Sequence, residues 1–130
     1  MGVVTVKEIN CPCESGQAYG KCCGPLHQGA AAGTAEQLMR SRYSAFVFEL
    51  HDYILKTWHA STRPATLADE EPVRWLGLKI KDTQTATPHA EVEFIARYKV
   101  AGKAWRLHER SRFVFENNCW YYVDGDILDS

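Results

Sequence analysis

Apolar residues recur at helical spacing in the segment that follows residue 33. Thr34 and Gln37 have the spacing of a capping box, which predicts that a helix begins there. The apolar stripe behind this cap includes one arginine and consists of Leu38, Met39, Arg42, Tyr43, Phe46, Val47 and Leu50. A second, shorter helix is predicted over residues 52–58. The next segment, HASTRPATLADEEP, contains two prolines and an acidic cluster, so it is predicted to be a loop.

The hydrophobic period changes from helical to alternating in the second half of the chain. Runs rich in Val, Ile, Phe, Trp and Tyr predict four strands, over residues 73–80, 91–100, 105–115 and 119–123. The tripeptides AGK, ENN and DGD are the turn signals that punctuate these runs. Because the helices come first and the strands afterwards, the order predicts an α+β fold in which the helices pack on one face of a curved antiparallel sheet.

Composition and charge narrow the class of protein. Hydrophobic residues make up 45% of the 130-residue chain, which is enough for one core with a small appendage. The formal net charge is only -1, and this balance argues against non-specific binding to nucleic acid. The N-terminal segment MGVVTVKEIN lacks a signal-peptide pattern, and no apolar run approaches the roughly 18 residues of a membrane span, so a cytoplasmic protein is expected.

One short segment concentrates the chemistry of the sequence. CPCESGQAYGKCCG contains four of the five cysteines of the chain, Cys11, Cys13, Cys22 and Cys23. In a reducing cytoplasm clustered cysteines bind metals more often than they form disulfides, and an odd total does not suit a closed disulfide framework. Four thiolates match the tetrahedral preference of Zn²⁺ and leave no position for a reactive water, so the zinc ion is expected to be structural.

The adjacent cysteines, Cys22 and Cys23, constrain the local backbone. Their side chains would diverge in a strand, whereas a helical turn sets them about 100° apart, so a short helical turn is predicted over residues 19–23. A disulfide between neighbours would be strained. Two alternatives stay open: His27 could replace one cysteine ligand, or the sulfurs could form a reduced or redox-active thiol cluster. Cys119 lies in a strand-like run and is predicted to be a small buried hydrophobic residue.

The pattern CPCxSGxxYxxCC resembles the SEC-C motif, best known from the C-terminal tail of the preprotein translocase ATPase SecA. The resemblance implies that the four clustered cysteines are the metal ligands and that the knuckle contacts a protein partner. The motif usually has glycine where this chain has Glu14, a difference that touches no ligand.

The resemblance extends over most of the chain. The segments LMRSRYSAF, HASTRP and LHERSRFVFENNCWYYVDG are similar to those of the YchJ-like family of SEC-C proteins. The resemblance implies a SEC-C zinc knuckle over residues 1–24 and a cone-shaped domain like nuclear transport factor two over 34–130. Residues 25–33, PLHQGAAAG, have no amphipathic period and are predicted to be a linker. The family carries no settled activity, and its cone often contains a cavity.

A carboxylate falls on the apolar side of the third predicted strand. Alternation over residues 105–115 places Glu109 with Trp105 and Phe113, facing the helix that carries Arg42. Because a buried carboxylate must be paired, an Arg42–Glu109 contact is predicted. It is either a structural ion pair or part of a pocket. In the pocket, Glu109 would serve as ligand anchor or general base, aided by Tyr43, Trp58 or Tyr98.

These patterns lead to one main hypothesis about function. The chain is expected to be a cytoplasmic zinc-binding accessory protein whose knuckle docks a protein partner and whose α+β cone is a scaffold. The alternative is a cone that binds or converts a small molecule. No set of serine, histidine and acid residues is legible, so whether the protein is an enzyme stays open. Chelation is expected to unfold the knuckle and to leave the main domain folded.

Overall fold

The fold is α+β, as the order of periodicities predicts. The structure is a computed structural model that describes residues 8–67 and 73–128. Parts of the predicted knuckle, of the loop after the second helix and of the C-terminus lie outside these residues. The elements are a 3-10 turn at Tyr19–Lys21, helices α1 (Cys23–His27), α2 (Ala35–Val47) and α3 (His51–Lys56), and strands β1 (Arg74–Ala86), β2 (His89–Val100), β3 (Lys103–Glu116) and β4 (Cys119–Ile127).

The four strands form one antiparallel meander in the order β1-β2-β3-β4. Two of the predicted turns are confirmed, because Ala101, Gly102, Asn117 and Asn118 all have positive φ, as tight hairpin turns require. The third turn signal, DGD, is wrong. Gly125 at its centre pairs with β3, so the tripeptide lies inside β4.

Helix α2 begins at the predicted cap. The Thr34 hydroxyl accepts a hydrogen bond from the Gln37 backbone N–H at 3.1 Å. The Gln37 side chain reaches one residue further back than a capping box predicts, because its Oε1 accepts from the N–H of Gly33 at 2.7 Å. The helix then lies across the sheet and buries Leu38, Met39, Arg42 and Tyr43 against it.

Helix α3 is tied to the far edge of the sheet. It begins one residue earlier and ends two residues earlier than predicted, at His51 and Lys56. The chain that leaves it pairs with β4, since the N–H of Tyr122 donates to the carbonyl oxygen of Thr57 at 2.9 Å. The carbonyl oxygen of Tyr122 in turn accepts from the N–H of His59 at 2.7 Å. This connection holds the end of α3 beside the face of the sheet that α2 covers.

The cysteine segment shares one hydrophobic core with the sheet. Cys11, Cys13 and Cys23 belong to the same buried cluster as Phe94 and Phe113. The predicted connector over 25–33 does not begin as a connector, because its first three residues complete α1. The knuckle is therefore packed into the main body and is not an appendage on a flexible linker.

The opposite face of the sheet is charged. Arg110 pairs with Asp82, Glu91 and Glu93, while Arg112 pairs with Asp124 and Asp126. Arg110 and Arg112 are thus matched by carboxylates from other strands of the sheet. Within residues 8–67 and 73–128, no helix is both long enough and apolar enough to span a bilayer.

Candidate metal centre and internal cavity

A tight loop brings the first two cysteines of the cluster together. The N–H of Cys11 donates to the carbonyl oxygen of Gln17 at 2.9 Å, and the N–H of Glu14 donates to the carbonyl oxygen of Cys11 at 3.1 Å. The loop turns through left-handed conformations at Glu14, with φ 63, and at Gly16, with φ 89. Glycine tolerates such values better than glutamate does, so Glu14 occupies a position that suits glycine.

The second pair of cysteines is positioned by a break between two helical turns. A continuous turn over 19–23 is not what the structure contains, because the 3-10 turn ends at Lys21 and Cys22 has a non-helical backbone with φ -126 and ψ -104. Helix α1 then begins at Cys23, and the two sulfurs lie 3.9 Å apart. Because the backbone breaks between the two turns, both sulfurs point towards the other two cysteines. In a regular helix the two side chains would stay about 100° apart.

All four sulfur atoms lie within 4.8 Å of one another. Cys13 Sγ lies 3.5 Å from Cys22 Sγ. Cys11, Cys13 and Cys23 are buried, and Cys22 is half-buried. Four soft donors converging at this distance suggest a metal site, and they are the four residues that the SEC-C resemblance assigns as ligands.

Two serines contact the sulfurs from outside the cluster. The Ser44 hydroxyl lies 3.5 Å from Cys11 Sγ and donates to Cys23 Sγ at 3.4 Å. The Ser15 hydroxyl lies 3.0 Å from Cys22 Sγ. Hydrogen bonds to thiolates fix the ligand geometry and share the negative charge. Sequence reasoning missed Ser44. It is a polar residue next to the apolar stripe of α2, and the structure buries it fully.

Hydrogen bonds between the sulfurs separate the pKa values of three of the four cysteines. Bonds from Cys13 and Cys23 hold the pKa of Cys11 far below its ordinary value. The same bonds raise the pKa of Cys13 to about 11 and that of Cys23 further still. A metal that binds these sulfurs must displace the protons that remain on them, so its affinity depends on pH.

His27 has both ring nitrogens engaged elsewhere. Its Nε2 donates to the carbonyl oxygen of Ser41 at 2.8 Å, so its Nδ1 accepts from the Tyr19 hydroxyl at 2.5 Å. The ring also packs edge-on against Tyr53 at a centroid distance of 4.7 Å. His27 joins α1 to α2 in this structure, and it does not belong to the sulfur cluster.

Glu14 links the knuckle to the sheet. Its Oε2 accepts a hydrogen bond from the backbone N–H of Leu78 at 2.5 Å. The neighbouring Gly77 leaves room for this contact, because a Cβ atom there would lie 2.7 Å from the same oxygen. β1 is an edge strand of the sheet, so its outer edge is available to Glu14, and a bulge between Trp75 and Gly77 lies next to this contact. On the α2 side, Arg40 Nη1 donates to the carbonyl oxygen of Cys13 at 2.7 Å.

A second candidate site is a cavity of about 160 Å³ between α2 and the sheet. Its apolar walls come from α2, β1, β2 and β3 and consist of Met39, Phe46, Trp75, Phe94, Ala96 and Leu107. Its polar or amphipathic walls are Arg42, Tyr43, Trp58, Glu109, Ser111 and Tyr122. Four of the five pocket residues expected from the sequence thus line one cavity. Tyr98 does not line it, because its ring packs against Trp75 at 5.5 Å.

Arg42 is 4% exposed and binds the end of α3. Its Nη1 donates to the carbonyl oxygen of Ile54 and to the hydroxyl of Thr57, each at 2.7 Å. Its guanidinium carbon lies over the rings of Tyr122 at 4.6 Å and Trp58 at 5.2 Å. Burial lowers the pKa of Arg42 to about 10, so the side chain stays charged at neutral pH.

The predicted direct contact between Arg42 and Glu109 is wrong, and so is its interpretation as an ion pair, although both residues line the cavity. Among the described residues, no carboxylate lies within 4 Å of the Arg42 guanidinium. The last carbonyls of a helix lack partners within it, and Arg42 satisfies one of them at Ile54. Glu109 instead accepts from the Ser111 hydroxyl at 2.5 Å. Both charges face one cavity without direct contact.

Comparison with known proteins agrees with this geometry. A family model described as "YchJ, middle NTF2-like domain" matches residues 34–125, and the SEC-C motif matches residues 10–25. A SEC-C cysteine motif followed by an NTF2-like α+β domain defines the class. The chain belongs to the YchJ-like family.

Relatives and solved structures support the same assignment. The chain is 53% identical over 126 residues to a UPF0225 protein of Cupriavidus pinatubonensis, covering 91% of this chain and 88% of that protein. It is 57% identical over 122 residues to a UPF0225 protein of Bordetella pertussis, covering 90% and 92%. The solution structure of a SEC-C motif containing protein from Rhodopseudomonas palustris is similar, with 36% identity, a TM-score of 0.83 and coverage of 93% of this chain and 100% of that chain. A crystal structure from Psychrobacter arcticus, of a protein with the same motif, has 32% identity, a TM-score of 0.77 and coverage of 97% and 87%.

Proposed function

We propose that this chain is a zinc-binding accessory protein in which the SEC-C cysteines hold one structural Zn²⁺ ion. The observation that carries the proposal is the convergence of four sulfurs within 4.8 Å. A tetrahedral ion with zinc–sulfur bonds of about 2.3 Å requires sulfurs about 3.8 Å apart. The Cys13–Cys22 and Cys22–Cys23 separations of 3.5 Å and 3.9 Å lie on either side of that value.

The proposed role of the ion is to stabilise the fold. Four cysteine ligands leave no coordination position for water or substrate, so the metal supplies cross-linking and not Lewis-acid chemistry. Thiolate ligands persist in a reducing compartment, and the proposal therefore places the protein in the cytoplasm.

Metal analysis of protein purified without chelators tests the proposal. We expect close to one zinc per chain, lost in Cys13→Ser because a buried ligand is removed. Cys119→Ser is the matched control, since Cys119 lies on β4 outside the sulfur cluster, and it should keep the zinc. Metal-free wild-type protein, or zinc retained by Cys13→Ser, would contradict the assignment.

The knuckle also carries the proposed contact with a protein partner. Cys22 is the half-buried member of the cluster and lies at a surface groove lined in part by Lys21, Pro25, Leu26 and Glu36. A photo-crosslinker at position 26 should capture one defined protein, and Lys21→Glu in the same chain should abolish capture. A crosslinker at the remote position 103 is the control, and equal capture from both positions would argue against a docking knuckle.

A second candidate function is binding of a small molecule in the cavity. It is supported by two opposite charges, Arg42 and Glu109, that line one cavity without pairing. Glu109 is the proposed anchor for a cationic ligand, and Arg42 for an anionic one. Glu109→Gln should change ligand binding while the protein stays folded, weakening it for a cation and tightening it for an anion, whereas a purely structural Glu109 would change stability alone.

A further inference from the structure

The guanidinium of Arg42 has donors that the fold does not use. Arginine carries five N–H groups, and the two on Nη1 are taken by Ile54 and Thr57. Within the described part of the chain, Nε and Nη2 have no hydrogen-bond acceptor, and Arg42 lines the cavity. Neither atom is among the fully buried side-chain atoms that lack a partner in the described part of the chain, so both are accessible from the cavity, where a ligand with hydrogen-bond acceptors can bind them.

The charge of Arg42 also lacks a direct partner. The side chain stays protonated at neutral pH despite its burial. Glu109, the acidic residue of the cavity wall, directs its carboxylate to Ser111. The aromatic rings of Tyr122 and Trp58 offset part of the desolvation through cation–π contact. An anion on the remaining edge of the guanidinium would supply the missing charge and two acceptor oxygens together.

The size and walls of the cavity limit the ligand. At about 160 Å³ it is close to the cavity of about 150 Å³ that takes up benzene in an engineered protein. Phe94 and Leu107 contribute apolar surface to the cavity that the two charged residues also line. Glu109 on the same wall would repel a second negative charge, so a monoanion fits better than a dianion.

We propose that the cavity binds a one-ring aromatic monocarboxylate, with the carboxylate on the free Nε and Nη2 edge of Arg42 and the ring against Phe94 and Leu107. This inference rests on the second candidate function, because it names the ligand class for the same cavity. It is independent of the zinc proposal.

A panel of matched probes tests the inference on the unmodified protein. Benzoate, benzamide, benzylamine and phthalate share one ring and differ in charge. Benzoate should bind at least about tenfold more tightly than benzamide, since a charge-assisted bidentate contact is lost in the amide. Amide resonances of Phe94 and Leu107 should shift during the titration, which locates the probe in the cavity.

A pair of arginine variants adds a second readout. Arg42→Gln should remove the preference for benzoate over benzamide, while Arg106→Gln should keep it, because Arg106 is an exposed arginine of β3 that does not line the cavity. If Arg42→Gln fails to fold, the probe panel on the wild-type chain still shows whether the cavity prefers benzoate to benzamide.

The outcomes separate the ligand class from the existence of the site. Equal binding of benzoate and benzamide would overturn the carboxylate inference and leave a ligand cavity standing. Tighter binding of benzylamine or phthalate would overturn it as well, in favour of Glu109 or of a dianion. Absence of cavity shifts with all four probes would overturn both the ligand class and the second candidate function.

Discussion

The carboxylate of Glu14 accepts the backbone N–H of Leu78 at 2.5 Å across 64 positions of sequence. Glu14 follows the cluster residue Cys13 directly and holds a left-handed backbone, with φ 63. The chain tolerates this unfavourable conformation at a position that suits glycine, and the side chain provides a direct bond between the knuckle and β1. The loop of the cysteine cluster and the sheet are therefore joined by a direct hydrogen bond.

Three substitutions at Glu14 should separate its hydrogen bond from its backbone strain. Glu14→Gln keeps an acceptor oxygen and should cost least. Glu14→Gly loses the acceptor but relieves the left-handed strain, and Glu14→Ala loses the acceptor and keeps the strain. We expect Glu14→Ala to lower the free energy of unfolding by about 2 kcal/mol, with glycine intermediate. Urea unfolding of the three variants measures the order, and alanine equal to glutamine would contradict it.

Removal of the metal should destabilise the whole domain and not the knuckle alone. The chelation expectation drawn from sequence treated the knuckle as separable, whereas Cys11, Cys13 and Cys23 pack in the same core as Phe94 and Phe113. We expect metal removal to lower the free energy of unfolding by about 2–3 kcal/mol, which corresponds to a decrease in Tm of roughly 10 °C. Thermal unfolding with and without chelator measures this shift.

The matched control for chelation is Cys13→Ser, which should melt at the lower temperature and respond no further to chelator. Spectral change confined to residues 10–27, with an unchanged Tm for the sheet, would restore the modular picture and contradict the coupled one.

A methyl group at position 125 should disturb Glu109. A Cβ atom on Gly125 would lie 2.5 Å from Glu109 Oε2 and 3.1 Å from the backbone oxygen of Arg110. Gly125→Ala should therefore cost about 1–3 kcal/mol in the free energy of unfolding. Adding Glu109→Ala should recover part of the loss. Gly33→Ala is the control, because its Cβ would meet only the flexible end of Gln37, and an equal cost at both glycines would refute the steric cause.

The ion pairs on the charged face of the sheet should make the free energy of unfolding slightly dependent on pH in the acidic range. Arg112 donates to Asp126 at 2.7 Å and lowers the pKa of Asp126 below its ordinary 3.8. The ionised form of Asp126 is thus more favourable in the folded state than in the unfolded state. Its contribution to the free energy of unfolding is present above pH 3.8 and is lost as the pH falls through the depressed pKa.

An NMR titration of the Asp126 carboxyl carbon checks this direction. Arg112→Gln should raise the pKa of Asp126 towards its ordinary value, and Arg106→Gln should leave it unchanged. An unchanged pKa in Arg112→Gln would show that Arg112 is not the cause.

Several features followed from short-range patterns and could be predicted. The cap at Thr34, the meander order and the hairpin turns at Gly102 and Asn117 depend on residues that are close in sequence. The sulfur cluster also follows from local spacing. The DGD tripeptide was misread, because pairing with β3 overrides the turn preference of Gly125.

The α+β order and the set of cysteines that can converge are readable from the amino-acid sequence, since hydrophobic period and local spacing act within a few residues. The partners of Arg42, Glu14 and His27 depend instead on how the elements pack. A charged or aromatic side chain can pair with many different backbone groups. Which group it pairs with here depends on where α3, β1 and α2 lie after packing. A carbonyl oxygen at Ile54, a backbone N–H at Leu78 and a carbonyl oxygen at Ser41 carry no mark in the amino-acid sequence, because every residue has such groups.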